Sequence, residues 1–338
     1  MRTRIMLALF AFVIAAAGCA SSPTPPPSVT IAPVEALPSG AHEVATSEPL
    51  PAGAHEVTTP EPEAGNADCG DREASLRPGP LPAPGAMPPG STMAAIFERG
   101  RLIVGVDQNT NPFGFRNPSS GLLEGFDVDV AREIARSIFG DPDRVDPRVV
   151  EGGERESALQ SGEVDLVVRT YSITCERKKK VAFSTTYFTA HQKILVVKGS
   201  GIDSAAALSG KRVCAVTGTT SLTALLALHS KPTVKAVTSW TDCLVMLQQG
   251  QVDAISTDDA VLAGLKEQDQ KNLEIVGDSM GDEPYGVGVN KEHSDLVRFV
   301  NGVLERMRVD GTWERLYEAR LGSLLGPSPG PPTPRYQD

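Results

Sequence analysis

The sequence predicts an α/β fold divided into two lobes. Three observations carry that expectation: strands alternate with helical stretches, one helix–turn–strand pattern occurs twice, and proline marks off a folded body from its flanks. The first half opens on the strand Leu102-Ile-Val-Gly-Val-Asp, followed by an apolar helical periodicity over Val128 to Ile138. Ala158-Leu-Gln-Ser-Gly-Glu-Val-Asp-Leu-Val then reads as a helix end, a glycine cap and a buried strand. The same pattern returns in the second half as Met246-Leu-Gln-Gln-Gly-Gln-Val-Asp-Ala-Ile. That half opens likewise, on Lys211-Arg-Val-Cys-Ala-Val-Thr-Gly-Thr-Thr-Ser with a helix over Ser221 to Leu228. Two such α/β units in one chain imply two lobes.

Residues 20–92 hold 16 of the 27 prolines and residues 326–338 hold 5, leaving 6 for the body between them, which is long enough for one large or two modest domains. Of the net charge of −10, −7 falls in residues 20–92 and −5 in the body, which excludes the basic face of a nucleic-acid binder. The one continuous apolar run, residues 5–17, is shorter than the roughly 20 residues a spanning helix needs, which excludes an integral channel or transporter. Arg2 and Arg4 before that run, and Ala16-Ala17-Gly18-Cys19 after it, read as an export signal over 1–18 ending in a lipobox-like site. A diacylglyceryl group on Cys19 would anchor the protein to the outer face of the cytoplasmic membrane.

The segment after Cys19 lacks the apolar residues to bury a core and is expected to be a tether. Within it Leu37-Pro-Ser-Gly-Ala-His-Glu-Val is repeated as Leu50-Pro-Ala-Gly-Ala-His-Glu-Val, which reads as a duplication inside a linker. The stretch Cys69 to Leu76 is its one candidate docked part. Export makes disulfides the natural fate of Cys69, Cys175, Cys214 and Cys243. Cys214 is expected to pair with Cys243, which lies in the same half, leaving Cys69 for Cys175. Zinc is disfavoured because neither C-x-x-C nor clustered histidine is present, and no metal or cofactor is expected.

Each repeated strand runs into a polar turn, Arg169-Thr-Tyr-Ser-Ile-Thr in one half and Ser256-Thr-Asp-Asp in the other. Ligands of open α/β sheets bind beyond the carboxyl ends of the strands, so facing lobes would bring these turns to one cleft.

The blocks Glu124-Gly-Phe-Asp-Val-Asp-Val-Ala, Ser172-Ile-Thr-Cys-Glu-Arg-Lys-Lys, Gly218-Thr-Thr-Ser, Val252-Asp-Ala-Ile-Ser-Thr-Asp-Asp, Tyr285-Gly-Val-Gly-Val and Asp310-Gly-Thr-Trp, with the strands above, occur in an order that resembles the extracellular solute-binding proteins of family 3. These are polar amino-acid receptors of ABC importers, and the likeness is greatest to actinobacterial glutamine/glutamate-binding lipoproteins of the GlnH type. The resemblance implies a type II periplasmic-binding-protein fold. Lobe 1 would comprise 93–194 and 286–325, lobe 2 would comprise 195–285, and the Pro-rich tail 326–338 would follow, with hinge strands near Ile194 to Lys198 and Gly286 to Asn290. It assigns Arg177 and Ser172 to a ligand α-carboxylate, the Thr170 backbone to its α-amino group, and Thr219 and Thr220 to the carboxylate from lobe 2. Asp258 would pair with the ligand ammonium and Asp107 would read the side chain. A cation for an acidic side chain would come from Arg169, with Arg116 and Lys193 as alternatives. Thr174 and Asp259 read equally as helix caps, and Trp240 as a pocket wall or lobe core. Aromatics that sandwich the ligand in some relatives are replaced here by the Thr110–Asn111 region and Gly152, which implies a wetter pocket.

The resemblance therefore implies a monomeric, non-enzymatic receptor for a free amino acid, ordered as aspartate or glutamate, then asparagine or glutamine. It would serve an ABC permease or a membrane sensor upstream of a serine/threonine kinase. The competing readings are a dehydratase on the same fold, with Glu154 or Asp107 as general acid, and a surface lipoprotein that binds nothing.

Overall fold

The computed structural model describes residues 42–44 and 69–338; the export signal, Cys19 and most of the tether, including the second copy of the duplication, lie outside the described residues. The first element is a short strand, β1 (His42–Val44). Residues 69–91 form a strap that leads into α1 (Thr92–Arg99), which Ser91 caps by accepting the Ala94 N–H and Gly100 ends in the left-handed conformation.

The first lobe follows as β2 (Leu102–Val106), the ribbon β3 (Asn109–Thr110), β4 (Gly114–Arg116) and β5 (Leu123–Glu124), and α2 (Phe126–Phe139). It continues through β6 (Val145–Val149), α3 (Arg155–Gln160), β7 (Leu166–Val167), α4 (Cys175–Lys180) and β8 (Ala182–Phe183). The long strand β9 (Phe188–Val197) then carries the chain into the second lobe: β10 (Arg212–Val216), α5 (Thr220–Ala227), β11 (Thr233–Val237), α6 (Trp240–Gln248), β12 (Ala254–Asp258), α7 (Asp259–Glu267) and β13 (Leu273–Val276). The chain returns through β14 (Asp282–Tyr285) and β15 (Gly288–Val289) to α8 (Ser294–Val309), α9 (Thr312–Arg320) and α10 (Gly322–Leu325).

The lobe 1 sheet has the order β6-β2-β7-β15-β8, with β2 parallel to β6 and β7. The lobe 2 sheet runs β1-β11-β10-β12-β9-β13, with β10, β11 and β12 parallel and β9 antiparallel to β12. Separate apolar clusters pack the two sheets. Val104, Ile134, Tyr187 and Trp313 belong to the main one on lobe 1, Leu159, Val167, Tyr171 and Phe183 to a smaller one there, and Leu195, Val213, Met246 and Ile255 to that of lobe 2. The connections between the lobes lie side by side, because β14 pairs with the start of β9, Tyr285 opposite Phe188 and Asp282 opposite His191. The fold is thus a two-lobed α/β structure, and both repeated strands, β7 and β12, occupy interior positions in their sheets.

Both bridges form, Cys69–Cys175 and Cys214–Cys243. The strap packs well beyond Leu76: Leu76 and Leu81 lie against the lobe 1 core. Buried Asn301 joins it to α8, donating from Nδ2 to Ser75 Oγ (2.9 Å) and Leu76 O (2.7 Å) while Oδ1 accepts the Thr185 N–H (2.7 Å). The C-terminal tail is fastened beside the strap. Ser75 bridges to Tyr336, the Arg77 guanidinium lies over the Tyr336 ring, and Arg298 pairs with Asp338. No helix of the described residues is long and apolar enough to cross a membrane.

Candidate functional site

The carboxyl ends of the parallel strands face one another between the lobes. Their turns line a cleft whose empty space, open solvent included, is about 310 Å³. Arg155, Arg169, Thr170, Ser172 and Arg177 form the lobe 1 wall. Thr219, Thr220, Ser221, Trp240, Thr257, Asp258 and Val261 form the wall of lobe 2. Of the residues expected at a ligand, all but Asp107 are therefore on the wall of one cavity.

Lobe 1 supplies three guanidinium groups. Arg177 sits in α4, whose N-cap Thr174 accepts the Arg177 N–H, so the α4 start is held by the turn that also carries Ser172. Arg177 Nη1 donates to Ser172 O (2.7 Å), and Glu156 approaches its Nε at 3.7 Å. Arg169 Nη2 pairs with Asp107 Oδ2 (2.9 Å), both side chains being almost fully buried. The Asp107 carboxylate also accepts the Gln108 and Asn109 N–H groups and the Thr110 hydroxyl, so its role here is to hold Arg169. Arg169 Nε has no partner. Arg116 is bonded to Gly121 O and, like Lys193, is not on the wall.

Sequence reasoning missed four residues of the wall, Arg155, Ser221, Thr257 and Val261, and of these Arg155 is the charged one. It begins α3 in the charged run Glu151-Gly-Gly-Glu-Arg-Glu, which reads as a solvated helix start. The side chain is instead buried, with its guanidinium 4.3 Å from the Tyr171 ring centre, Nε on Gly152 O (2.8 Å) and Nη2 on Gly218 O (2.8 Å). Burial, then the neighbouring Arg177 and Arg169, push its pKa down to about 9, so it is still a cation at neutral pH. A Gly-Gly pair before a helix-initial arginine is the one signal that bears on it, and that signal is weak.

Thr170 has φ of 38°, a left-handed conformation that a threonine adopts only under constraint. The constraint is Asp127, buried in the Gly-Phe-Asp block, whose Oδ2 accepts the Thr170 N–H (2.7 Å) and whose Oδ1 accepts the Tyr187 hydroxyl (2.7 Å). Burial raises the Asp127 pKa to about 6, against the two hydrogen bonds that lower it.

On lobe 2, Asp258 ends β12 and stands at the N-cap of α7 without capping it. Its Oδ2 accepts the Tyr285 hydroxyl, while Oδ1 is buried with no partner. Burial and then nearby Glu283 push the Asp258 pKa well above the carboxylate range, opposed by the Tyr285 hydrogen bond. Thr219 caps α5, accepting the Leu222 N–H and donating to Val216 O, so its hydroxyl is already engaged. Thr220 Oγ1 donates to Glu283 Oε2 (2.8 Å). Asp259 accepts the Ala260 and His191 N–H groups and is not on the wall. Trp240 is both buried in the lobe 2 core and part of the wall. Glu154, the alternative acid, is exposed and outside the cavity. The described residues contain no cluster of side chains suited to a metal ion.

The lobes touch across the cleft. Arg155 and Arg177 both donate to Gly218 O, at 2.8 and 3.1 Å. Gly218 has φ of +71°, and a Cβ there would fall 2.6 Å from the Gly153 backbone; one on Gly152 would fall 2.9 Å from Thr217 O. Gly152, expected from the resemblance to stand in for an aromatic, is thus where the lobe 2 backbone closes on lobe 1.

Residues 102–323 match the family described as bacterial extracellular solute-binding proteins, family 3. The chain is 40% identical over 228 residues to the ABC transporter glutamine-binding protein GlnH of Bacillus subtilis, covering 67% of this chain and 83% of that one. It is 32% identical over 244 residues to the glutamate-binding protein GluB of Corynebacterium glutamicum, covering 69% and 82%. The solute receptor for L-cysteine of Neisseria gonorrhoeae superposes with a TM-score of 0.67 at 29% identity, over 70% of this chain and 96% of that one. These relatives are named as binding proteins, not enzymes. With two sheets, a polar cavity at their strand ends and a match over most of the folded body, the chain belongs to the bacterial extracellular solute-binding proteins of family 3.

Proposed function

We propose that the protein captures a free polar L-amino acid in the cavity between its lobes, aspartate or glutamate ahead of asparagine or glutamine. The observation that carries this reading is the division of chemistry between the walls. Three arginines stand on the lobe 1 wall, and on lobe 2 stands a buried acid, Asp258, with an unpartnered oxygen, whose raised pKa a ligand ammonium beside it would draw down toward the ionised form. A zwitterion bridges such walls: Arg177 and the Ser172 turn take the α-carboxylate, and Asp258 takes the ammonium. Charged hydrogen bonds of this kind contribute about 1.5–3 kcal/mol each. The acids near the wall compensate Arg169 through Asp107 and Arg177 through Glu156, whereas Arg155 has three carbonyls and the Tyr171 ring. The surplus positive charge supports a ligand with a second carboxylate. Bridging ties affinity to closure, since the full set of bonds exists only when the lobes meet.

The closed form is what a membrane partner reads, either an ABC permease or a sensor upstream of a serine/threonine kinase. The lipobox-like Ala16-Ala17-Gly18-Cys19 supports a lipid-anchored receptor at the outer face of the cytoplasmic membrane.

A thermal-shift screen of the purified protein against all common amino acids tests the assignment, because a ligand raises the melting temperature once its concentration exceeds its dissociation constant. Acidic amino acids should give the largest shift, and Arg177→Ala and Asp258→Ala should each weaken binding by at least about 30-fold, or about 2 kcal/mol. Wild-type shifts retained in both variants would place the ligand elsewhere, and turnover of a prephenate-like substrate would favour the dehydratase.

A further inference from the structure

The duplicated His-Glu-Val of the tether is not absorbed by the binding function. Its first copy, His42-Glu43-Val44, forms β1, the edge strand of the lobe 2 sheet, antiparallel to β11. The register sets His42 opposite Ala236, Glu43 opposite Lys235 and Val44 opposite Val234. On its other side β11 is joined to β10 along its whole length, Arg212 to Val216 against Thr233 to Val237. Without β1, β11 is a bare edge with unpaired N–H and C=O groups, an acceptor for any extended segment of fitting sequence. A second segment of this chain repeats that sequence. His55-Glu56-Val57 follows the same Gly-Ala pair and can set the same three residues against Val234, Lys235 and Ala236.

We propose that the β11 edge of lobe 2 is a docking site for the His-Glu-Val motif, and that the two copies compete for it within one molecule. Docking of the first copy leaves residues 45–68 between the docked strand and Cys69, which the disulfide holds on lobe 1; docking of the second leaves 58–68. At about 3.3–3.6 Å per residue these segments reach at most roughly 80 and roughly 40 Å. The exchange moves one repeat unit of chain from one side of the docked strand to the other, and so changes the length of leash that precedes it. The body thereby has two discrete tether lengths.

Hydrogen exchange on the full chain tests this at the β11 amides that point away from β10. Val44 lies opposite Val234, whose N–H and C=O point away from β10, and Val57 is its counterpart in the second copy; proline cannot donate to a ladder, so Val44→Pro and Val57→Pro each disable one copy. Either variant alone should keep those amides slowly exchanging, and the double variant should exchange them faster by at least about tenfold. Full loss of protection in Val44→Pro alone would show that only the first copy docks and would overturn the competition. Unchanged protection in the double variant would overturn the docking site itself. Protection that falls on dilution would place the occupant in a second molecule and overturn the intramolecular account.

Discussion

Asp127 and Asp258 are both buried carboxylates beside the cavity, yet they act differently. Asp127 is fully partnered and positions the Thr170 turn, whereas Asp258 has one buried oxygen without a partner, the atom that the proposed function gives to the ligand ammonium. The raised pKa of Asp127 has a definite sign in stability. Since the folded protein holds that proton more tightly than the unfolded chain, Asp127 favours folding most below pH 4, and this contribution is lost as pH rises through about 6. A shift from 3.8 to about 6 corresponds to about 3 kcal/mol. The stability of the wild type minus that of Asp127→Asn, measured by denaturant unfolding from pH 4 to 7, should fall by up to that amount across the window. A difference that stays flat with pH would mean that Asp127 is not held in this environment. Most wall residues were legible in the sequence because Ser172, Arg177, Gly218 to Thr220 and Asp258 fall in local blocks at strand ends. Arg155 was not, because what buries it is the Tyr171 ring and the Gly218 carbonyl of the other lobe, contacts between segments distant in sequence.

At the scale of elements, the β10–α5 turn of lobe 2 meets the turn between β6 and α3 of lobe 1. Glycines make the approach possible, since Gly152 and Gly153 present bare backbone to Thr217 and Gly218. Gly152 has no left-handed φ, so alanine fits its own lobe and conflicts only across the cleft. Gly152→Ala should therefore leave the ligand-free melting temperature near that of the wild type while weakening amino-acid binding several-fold, read by calorimetric titration. Equal affinity in the variant would show that binding does not require this contact. The elements themselves follow from local signals: alternating apolar runs give the strands, and Gly100, Gly162 and Gly250 stop the helices or turns before them. The packing of the strap was legible only over Cys69 to Leu76, and it continues past Leu81. Its attachment through Asn301 depends on one buried amide in α8, 226 residues from Ser75. Nothing in the local sequence of α8 distinguishes that asparagine from a surface one.

The whole molecule is two separately cored sheets joined by β9 and β14, with the strap and the C-terminal tail fastened on lobe 1 and β1 on lobe 2. The Pro-rich tail, whose role the sequence left open, pairs with Ser75 and Arg77, so both Pro-rich flanks have packed parts. Composition conceals this, because proline-rich chain can lie along a surface through a few hydrogen bonds without burying a core of its own. The repeated helix–glycine–strand pattern did disclose the two lobes, since each copy builds an interior strand whose polar end faces the cavity. What joins these scales is closure: Arg155, Arg177 and Asp258 can serve one ligand only with the lobes together. Small-angle X-ray scattering of the protein with and without saturating glutamate or aspartate tests that claim most directly. The account predicts a smaller radius of gyration with ligand in the wild type and no change in Arg177→Ala. A wild type that binds stoichiometrically with an unchanged radius of gyration would contradict it.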